Sequence, residues 1–251
     1  MKKIISFVLL FVFLICSTSV SAQGRKRIRI IYRNAKHLVE KIKANPNAET
    51  LYLFRNGLDS LPDEIGQLKN LKKLVVSSNR LEYVPASIGD LTQLEKISFK
   101  HNRLKSLPKE IGRLKNLEVL ELDYNCLDSL PQEIGQLKNL KILQLNHNNL
   151  RCLPDEIGGL RSLQYFYIGT NLLRELPYSI GNLTDLIELD IAYSGGLLTI
   201  PESIANCHDL EILYIDDTTI LPFSYNRINP RLQIIVRPER IRRSKQKDHP
   251  K

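Results

Sequence analysis

The chain has 251 residues, four cysteines and a formal net charge of +9 at pH 7, a length that fits one or two domains. Its positive charge belongs to its ends. Lys2 and Lys3 carry two of the nine charges, Arg25, Lys26, Arg27, Arg29 and Arg33 five more, and residues 237–251 another five, so residues 34–236 carry −3 by difference. A body of that sign argues against a nucleic-acid-binding surface, and the three cysteines left once Cys16 is set aside with a leader argue against a designed disulfide framework.

In chain order, residues 1–22 have the layout of a secretory signal peptide: Lys2-Lys3, an apolar run from Ile4 to Cys16, then Val20-Ser21-Ala22, with cleavage expected after Ala22. The run is too short to span a bilayer. Lipid attachment at Cys16 would need a small residue before it, and Ile15 is large. The expected destination is the periplasm, the cell surface or the medium. Residues 23–50 read as an N-terminal cap. Ile28 and Ile30 alternate with arginines as in an edge strand, and Ile31, Ala35, Leu38 and Ile42 recur at helical spacing. Asn45-Pro46 ends that helix.

From residue 51 to 222 one pattern returns every 23 residues, and it marks eight repeats. Its asparagine slot holds Asn56, Asn79, Asn102, Asn125, Asn148 and Asn171, then Ser194 and, after a one-residue insertion, Thr218. A period in the twenties means a solenoid. In one repeat, Leu117, Leu120 and Leu122 give a short strand, Pro131 then turns the chain away, and Ile134, Leu137 and Leu140 cover the other side of the core. One repeat has too few apolar side chains for a core of its own, so stability comes from stacking. The chain bends at the asparagine and leaves backbone groups without ladder partners. An amide offers both donors and an acceptor to them, so these six residues read as a structural ladder. Ser194 and Thr218 are shorter, so a less regular C-terminal end is expected. Leu232, Ile234 and Val236 alternate and read as a closing strand within 223–236, followed by a basic tail, 237–251.

The repeat L-x-x-L-x-L-x-x-N-x-L-x-x-L-P-x-x-I-G-x-L resembles the leucine-rich-repeat family, in the 23-residue class shared by Ras-suppressor and Scribble-type proteins and many bacterial secreted repeat proteins. The resemblance implies an α/β right-handed solenoid, a horseshoe with a concave parallel sheet, short turns or 3₁₀ segments on the convex side and a helical N-terminal cap. It also implies protein–protein contact as the typical use.

Function is then sought at the strand positions the scaffold leaves open. Ser78, His101 and Asp123 fall on three successive strands and mimic a nucleophilic triad, but no G-x-S-x-G elbow is present and an open sheet excludes no water. His101 and His147 share a column two strands apart with Tyr124 between, too far for one metal ion. No catalytic site, metal or cofactor is therefore expected. The C-terminal half instead gathers Tyr124, Tyr165, Tyr167, Tyr193 and Tyr214 with Glu188, Asp190, Asp216 and Asp217, while the N-terminal half carries Lys73, Lys96, Lys100 and His101. Tyrosines stabilise sheets by cross-strand pairing; they also dominate binding surfaces, offering contact area with a polar tip. The reading is a monomeric binding module whose tyrosine- and acid-rich face takes a protein or glycan partner. The alternative is an envelope-associated protein held by its basic ends, through weak contact with the membrane surface. Glu121 is expected to be exposed.

Overall fold

The computed structural model describes residues 27–29 and 35–238; the expected signal peptide, the rest of the basic N-terminal segment and residues 239–251 lie outside them. The described residues form one ten-stranded parallel sheet in strict sequence order. Its strands are β1 (Arg27–Arg29), β2 (Thr50–Tyr52), β3 (Lys73–Val75), β4 (Lys96–Ser98), β5 (Val119–Glu121), β6 (Ile142–Gln144), β7 (Tyr165–Tyr167), β8 (Glu188–Asp190), β9 (Ile212–Asp216) and β10 (Gln233–Arg237). From β2 to β8 the register is one unbroken row, Thr50 beside Lys73, Lys96, Val119, Ile142, Tyr165 and Glu188. The 23-residue period therefore becomes a set of columns running across the sheet.

Each return path follows from the proline and the glycine of the repeat. Pro131 is extended and its carbonyl accepts the Ile134 N–H at 3.0 Å, opening a 3₁₀ turn over Gln132–Gln136. Seven such turns, one in each of the first seven repeats, stack behind the sheet among the described residues. Gly135 is needed for close approach rather than for its dihedral freedom: a Cβ there would meet the Glu156 carbonyl oxygen of the next repeat at 2.1 Å. Between sheet and turns lies one continuous apolar cluster, from Leu38 to Ile228. Phe99 and Phe166 are its largest members and are fully buried.

Both ends are covered. Helix α1 (Ala35–Ala44) buries Leu38 and Ile42 against the first repeat, as its spacing predicts, and β1 pairs in parallel with β2. At the other end β10 pairs with β9 through five residues, and Ile234 packs on the core while Val236 stays exposed. Arg237, read from the sequence as the first residue of the tail, is the last residue of β10. No helix among the described residues is long and apolar enough to cross a membrane.

Candidate interface on the concave face

The bend after each strand is built the same way seven times. Arg55, Ser78, His101, Tyr124, His147, Thr170 and Tyr193 all have φ between 54° and 61°, a left-handed conformation that costs an L-residue roughly 1–2 kcal/mol. From Ser78 to Thr170 the asparagine next in sequence stabilises the bend. Asn125 Nδ2 donates to the carbonyls of Phe99 at 3.0 Å and Leu122 at 2.9 Å, and its Oδ1 accepts the Leu104 N–H at 3.1 Å. Asn79, Asn102, Asn148 and Asn171 make the corresponding bonds. Asn56 is buried at the head of this column, and its N–H donates to Asn79 Oδ1. Each amide thus ties its own strand to the one before.

The column breaks at the C-terminal end. Ser194 Oγ makes a single bond, to the Ile168 carbonyl at 2.6 Å. Asp217, where an eighth left-handed residue would fall, is absent from that set of conformers. Asp216 shapes the bend instead. Its Oδ1 accepts from the Thr218 N–H and both threonine hydroxyls, and its Oδ2 accepts the Tyr193 N–H at 2.6 Å. Burial works to raise its pKa, but these donors outweigh that and hold it below the usual carboxylate value. Asp216 is thereby engaged within the chain, while Asp217 beside it is exposed.

The side chains of the concave face form a central patch and a C-terminal patch. In the middle, Lys96 meets Glu121 at 2.7 Å and Lys100 meets Asp123 at 3.0 Å. Glu121, expected to be exposed, is 8% exposed, because a lysine on the neighbouring strand reaches across it. Asp123 also accepts the Asn146 N–H at 2.9 Å, so its carboxylate faces Lys100 and Asn146 rather than His101, and the triad-like spacing of Ser78, His101 and Asp123 corresponds to no relay. His101, Tyr124 and His147 instead stack face to face, with ring centroids 4.3 and 4.2 Å apart. No cluster of three or more metal-ligating side chains occurs among the described residues. Cys126 and Cys152 are unpaired thiols, and Cys207 sits in the core, its thiol pushed up to about 12 by burial.

The C-terminal patch holds most of the tyrosines and acids singled out from sequence. Register places Tyr167, Asp190 and Tyr214 in one row across β7, β8 and β9, with Tyr165 and Glu188 in the row beside it. Glu188 and Asp190 are buried, 4% and 5% exposed, whereas Tyr165, Tyr167 and Tyr214 are half-buried. Burial raises the Glu188 carboxyl, Asp190 adds to that, and a hydrogen bond from Tyr167 opposes it. All three tyrosines are raised, by burial first and then by the Glu188 charge, so their hydroxyls remain donors at neutral pH. Tyr193 lies in the outermost column, where its hydroxyl donates to the Pro238 carbonyl. Tyr124 lies apart from the other tyrosines, in the histidine stack. Sequence reasoning missed Arg237, which pairs with Asp190 Oδ2 at 2.9 Å and lies over the Tyr214 ring. The alternation of Gln233, Ile235 and Arg237, continuing the concave columns, was the available signal.

A solenoid with one parallel sheet, stacked 3₁₀ returns and an asparagine ladder defines a repeat class that the comparisons identify. A family model described as a leucine-rich repeat region matches residues 34–124, 97–168 and 119–194, and the chain belongs to the leucine-rich-repeat family. Among solved structures it is similar to a leucine-rich-repeat protein of Leptospira interrogans, with 33% identity and a TM-score of 0.63, over 83% of this chain and 58% of that one. It is also similar to the plant peptide hormone receptor RGFR1 in complex with RGF2, with 30% identity and a TM-score of 0.69, over 86% of this chain and 35% of the receptor. The chain therefore spans little more than half of the first and about a third of the second. A plant ice-binding protein at 23% identity and a TM-score of 0.59, over 75% of this chain and 65% of that one, shares the fold. No curated protein matches.

Proposed function

We propose that this chain is an exported binding module that takes a protein or peptide partner on the C-terminal half of its concave face. The observation that carries this reading is the row Tyr167, Asp190, Tyr214 in register, with Tyr165 and Glu188 alongside. Half-buried tyrosines held as donors over buried carboxylates offer contact area and orientation together. The N-terminal half differs, because Lys96 and Lys100 already have partners in Glu121 and Asp123. The similar plant receptor, solved in complex with RGF2, supports a peptide or protein ligand over a small-molecule substrate. Export rests on Lys2-Lys3, the apolar run and Val20-Ser21-Ala22.

The test is capture of partners from envelope extract, followed by titration against two double variants. Tyr167→Ala with Tyr214→Ala removes most affinity, each central aromatic costing about 2 kcal/mol or more. Lys73→Ala with Lys96→Ala changes it little. The opposite ranking moves the site to the N-terminal half. Mass spectrometry of the protein from its native host shows a chain beginning at Gln23; an intact Met1 removes export from the reading.

A further inference from the structure

The proposed binding face contains one site whose chemistry is more specific than the rest, and the inference drawn from it rests on that reading. Arg237 ends β10, yet its guanidinium crosses β9 to reach β8. It lies 4.4 Å from the Tyr214 ring centroid and 2.9 Å from Asp190 Oδ2. Tyr193 then holds the carbonyl of the next residue, Pro238. The end of β10 thus places a cation against a buried carboxylate.

On the other side of Asp190 the groove continues. A cavity of about 140 Å³ is lined by Asp123, Asn146, Gly169, Asp190, Tyr193 and Arg237, among others. It exists because Gly169 has no side chain. A Cβ there would stand 3.2 Å from both Asn146 Oδ1 and Asp190 Oδ1 and 2.9 Å from the Ala192 carbonyl oxygen. With hydrogen in its place, the two side-chain oxygens face a common space. Asn146 Oδ1, and Gln144 Oε1 on the same strand segment, are buried acceptors with no hydrogen-bond partner among the described residues. A buried acceptor without a donor is costly, so Asn146 Oδ1, on the wall of this groove, is an acceptor in want of a donor. Asp123 already pairs with Lys100, and Asp190 with Arg237, which itself lines one end of the cavity.

A planar group with several N–H donors and a delocalised positive charge answers that need. Guanidinium has five donors in a fixed fork and stacks on tyrosine; ammonium has a compact charge and no face. We propose that the groove from Asp190 to Asn146 is a subsite for arginine, and that the partner presents it on an extended peptide segment. Arg237 occupies the adjoining position in the free protein and shows the mode of docking, with an ion pair to Asp190 and a tyrosine face beneath. Partner arginines bind beside it or replace it.

The probe is a fluorescent peptide with the sequence of residues 237–251, which carries Arg237, Arg240, Arg242 and Arg243, and a second peptide with citrulline at those four positions. Both are titrated against the full chain and its variants by anisotropy, with circular dichroism confirming that each variant is folded. The arginine peptide binds at least tenfold more tightly than the citrulline peptide. Asp190→Asn, which keeps the side-chain shape, weakens it by tenfold or more, and Arg237→Ala strengthens it several-fold by freeing Asp190. A full chain with Arg240→Gln, Arg242→Gln and Arg243→Gln removes the chain's own arginines from competition. Tighter binding there than to the unchanged chain supports the subsite and makes residues 239–251 its competitor in cis. Equal binding of the two peptides, indifference to Asp190→Asn, or no binding to that triple variant overturns the proposal. If the arginine peptide fails while a captured partner is still lost with Tyr167→Ala and Tyr214→Ala, the concave-face reading stands without the arginine subsite. If the captured partner ignores that tyrosine pair, the concave-face reading falls whatever the peptide does.

Discussion

The middle of the solenoid and its C-terminal end solve the same backbone problem differently. From Asn79 to Asn171 each bend combines a left-handed residue with an amide that bonds two strands at once. At the end, Ser194 supplies one bond and Asp216 gathers four donors from a local loop and from Tyr193. The periodic solution uses a neutral group and leaves the concave face free to vary. The local solution uses a carboxylate, and it lies where β8, β9 and β10 bring Asp190, Tyr214 and Arg237 together. Regularity belongs to the scaffold, and the chemistry concentrates where regularity ends.

The largest effect should come from breaking the periodic part. Asn125→Ala leaves the buried Leu104 N–H without its acceptor and removes one of two amide donors from each of the Phe99 and Leu122 carbonyls, which keep Asn102 and Asn148. A cost of about 2–3 kcal/mol is expected, since one buried group left alone costs roughly 1–3 kcal/mol and the two lost carbonyl bonds add to it. Ser194→Ala removes one bond and should cost about 1 kcal/mol. Urea midpoints of the two variants measure the contrast, and equal midpoints would show that ladder and end are energetically alike.

Next come the carboxylates, whose pH dependences should have opposite signs. The donors around Asp216 hold its folded pKa below the unfolded value. Its contribution is therefore present above about pH 4 and is lost as pH falls through the folded pKa. Asp216→Asn should cost about 1–3 kcal/mol at pH 7, a deficit that shrinks toward pH 3. Asp190 is shifted the other way, raised by burial with Arg237 opposing. The relative stability it gives is fullest below the unfolded pKa and declines as pH rises through the folded one. Asp190→Asn should therefore gain on the wild type between pH 3 and pH 7. Thermal midpoints across that range decide, and slopes of one sign would remove the distinction between the two acids.

Much of this was legible because the scaffold repeats each local demand. Leucine period, proline turn and bend asparagine each answer a constraint within one repeat or between neighbours, so 23-residue spacing exposed them. Pairing across strands was not legible in that way. Lys96 with Glu121 and Lys100 with Asp123 depend on how far a lysine reaches over a curved sheet. The charges therefore read as a basic half and an acidic half, when the central ones are matched. Arg237 was counted with a polar tail because the residues that follow it are polar, yet alternation from Gln233 places it on the concave face. The gap at Gly169 required knowing which oxygens lie on either side.

The smallest effect separates the backbone of the periodic bends from the side chains they carry. Thr170 and Tyr124 share one left-handed conformation, both at φ 57°. Glycine adopts it without the Cβ penalty of roughly 1–2 kcal/mol, but loses about 0.4–1 kcal/mol through the greater freedom of its unfolded chain. At Thr170 no ring contact among the described residues is given up, so Thr170→Gly should stabilise by about 0.5 kcal/mol. At Tyr124 the ring lies between His101 and His147, and each aromatic pair is worth about 0.5–1.5 kcal/mol. Tyr124→Gly should therefore destabilise, although its backbone gains as much as that of Thr170. Denaturant midpoints compared with the wild type test both signs. If the two variants shift alike, the bend alone sets the energetics of this column and the ring stack contributes nothing to it.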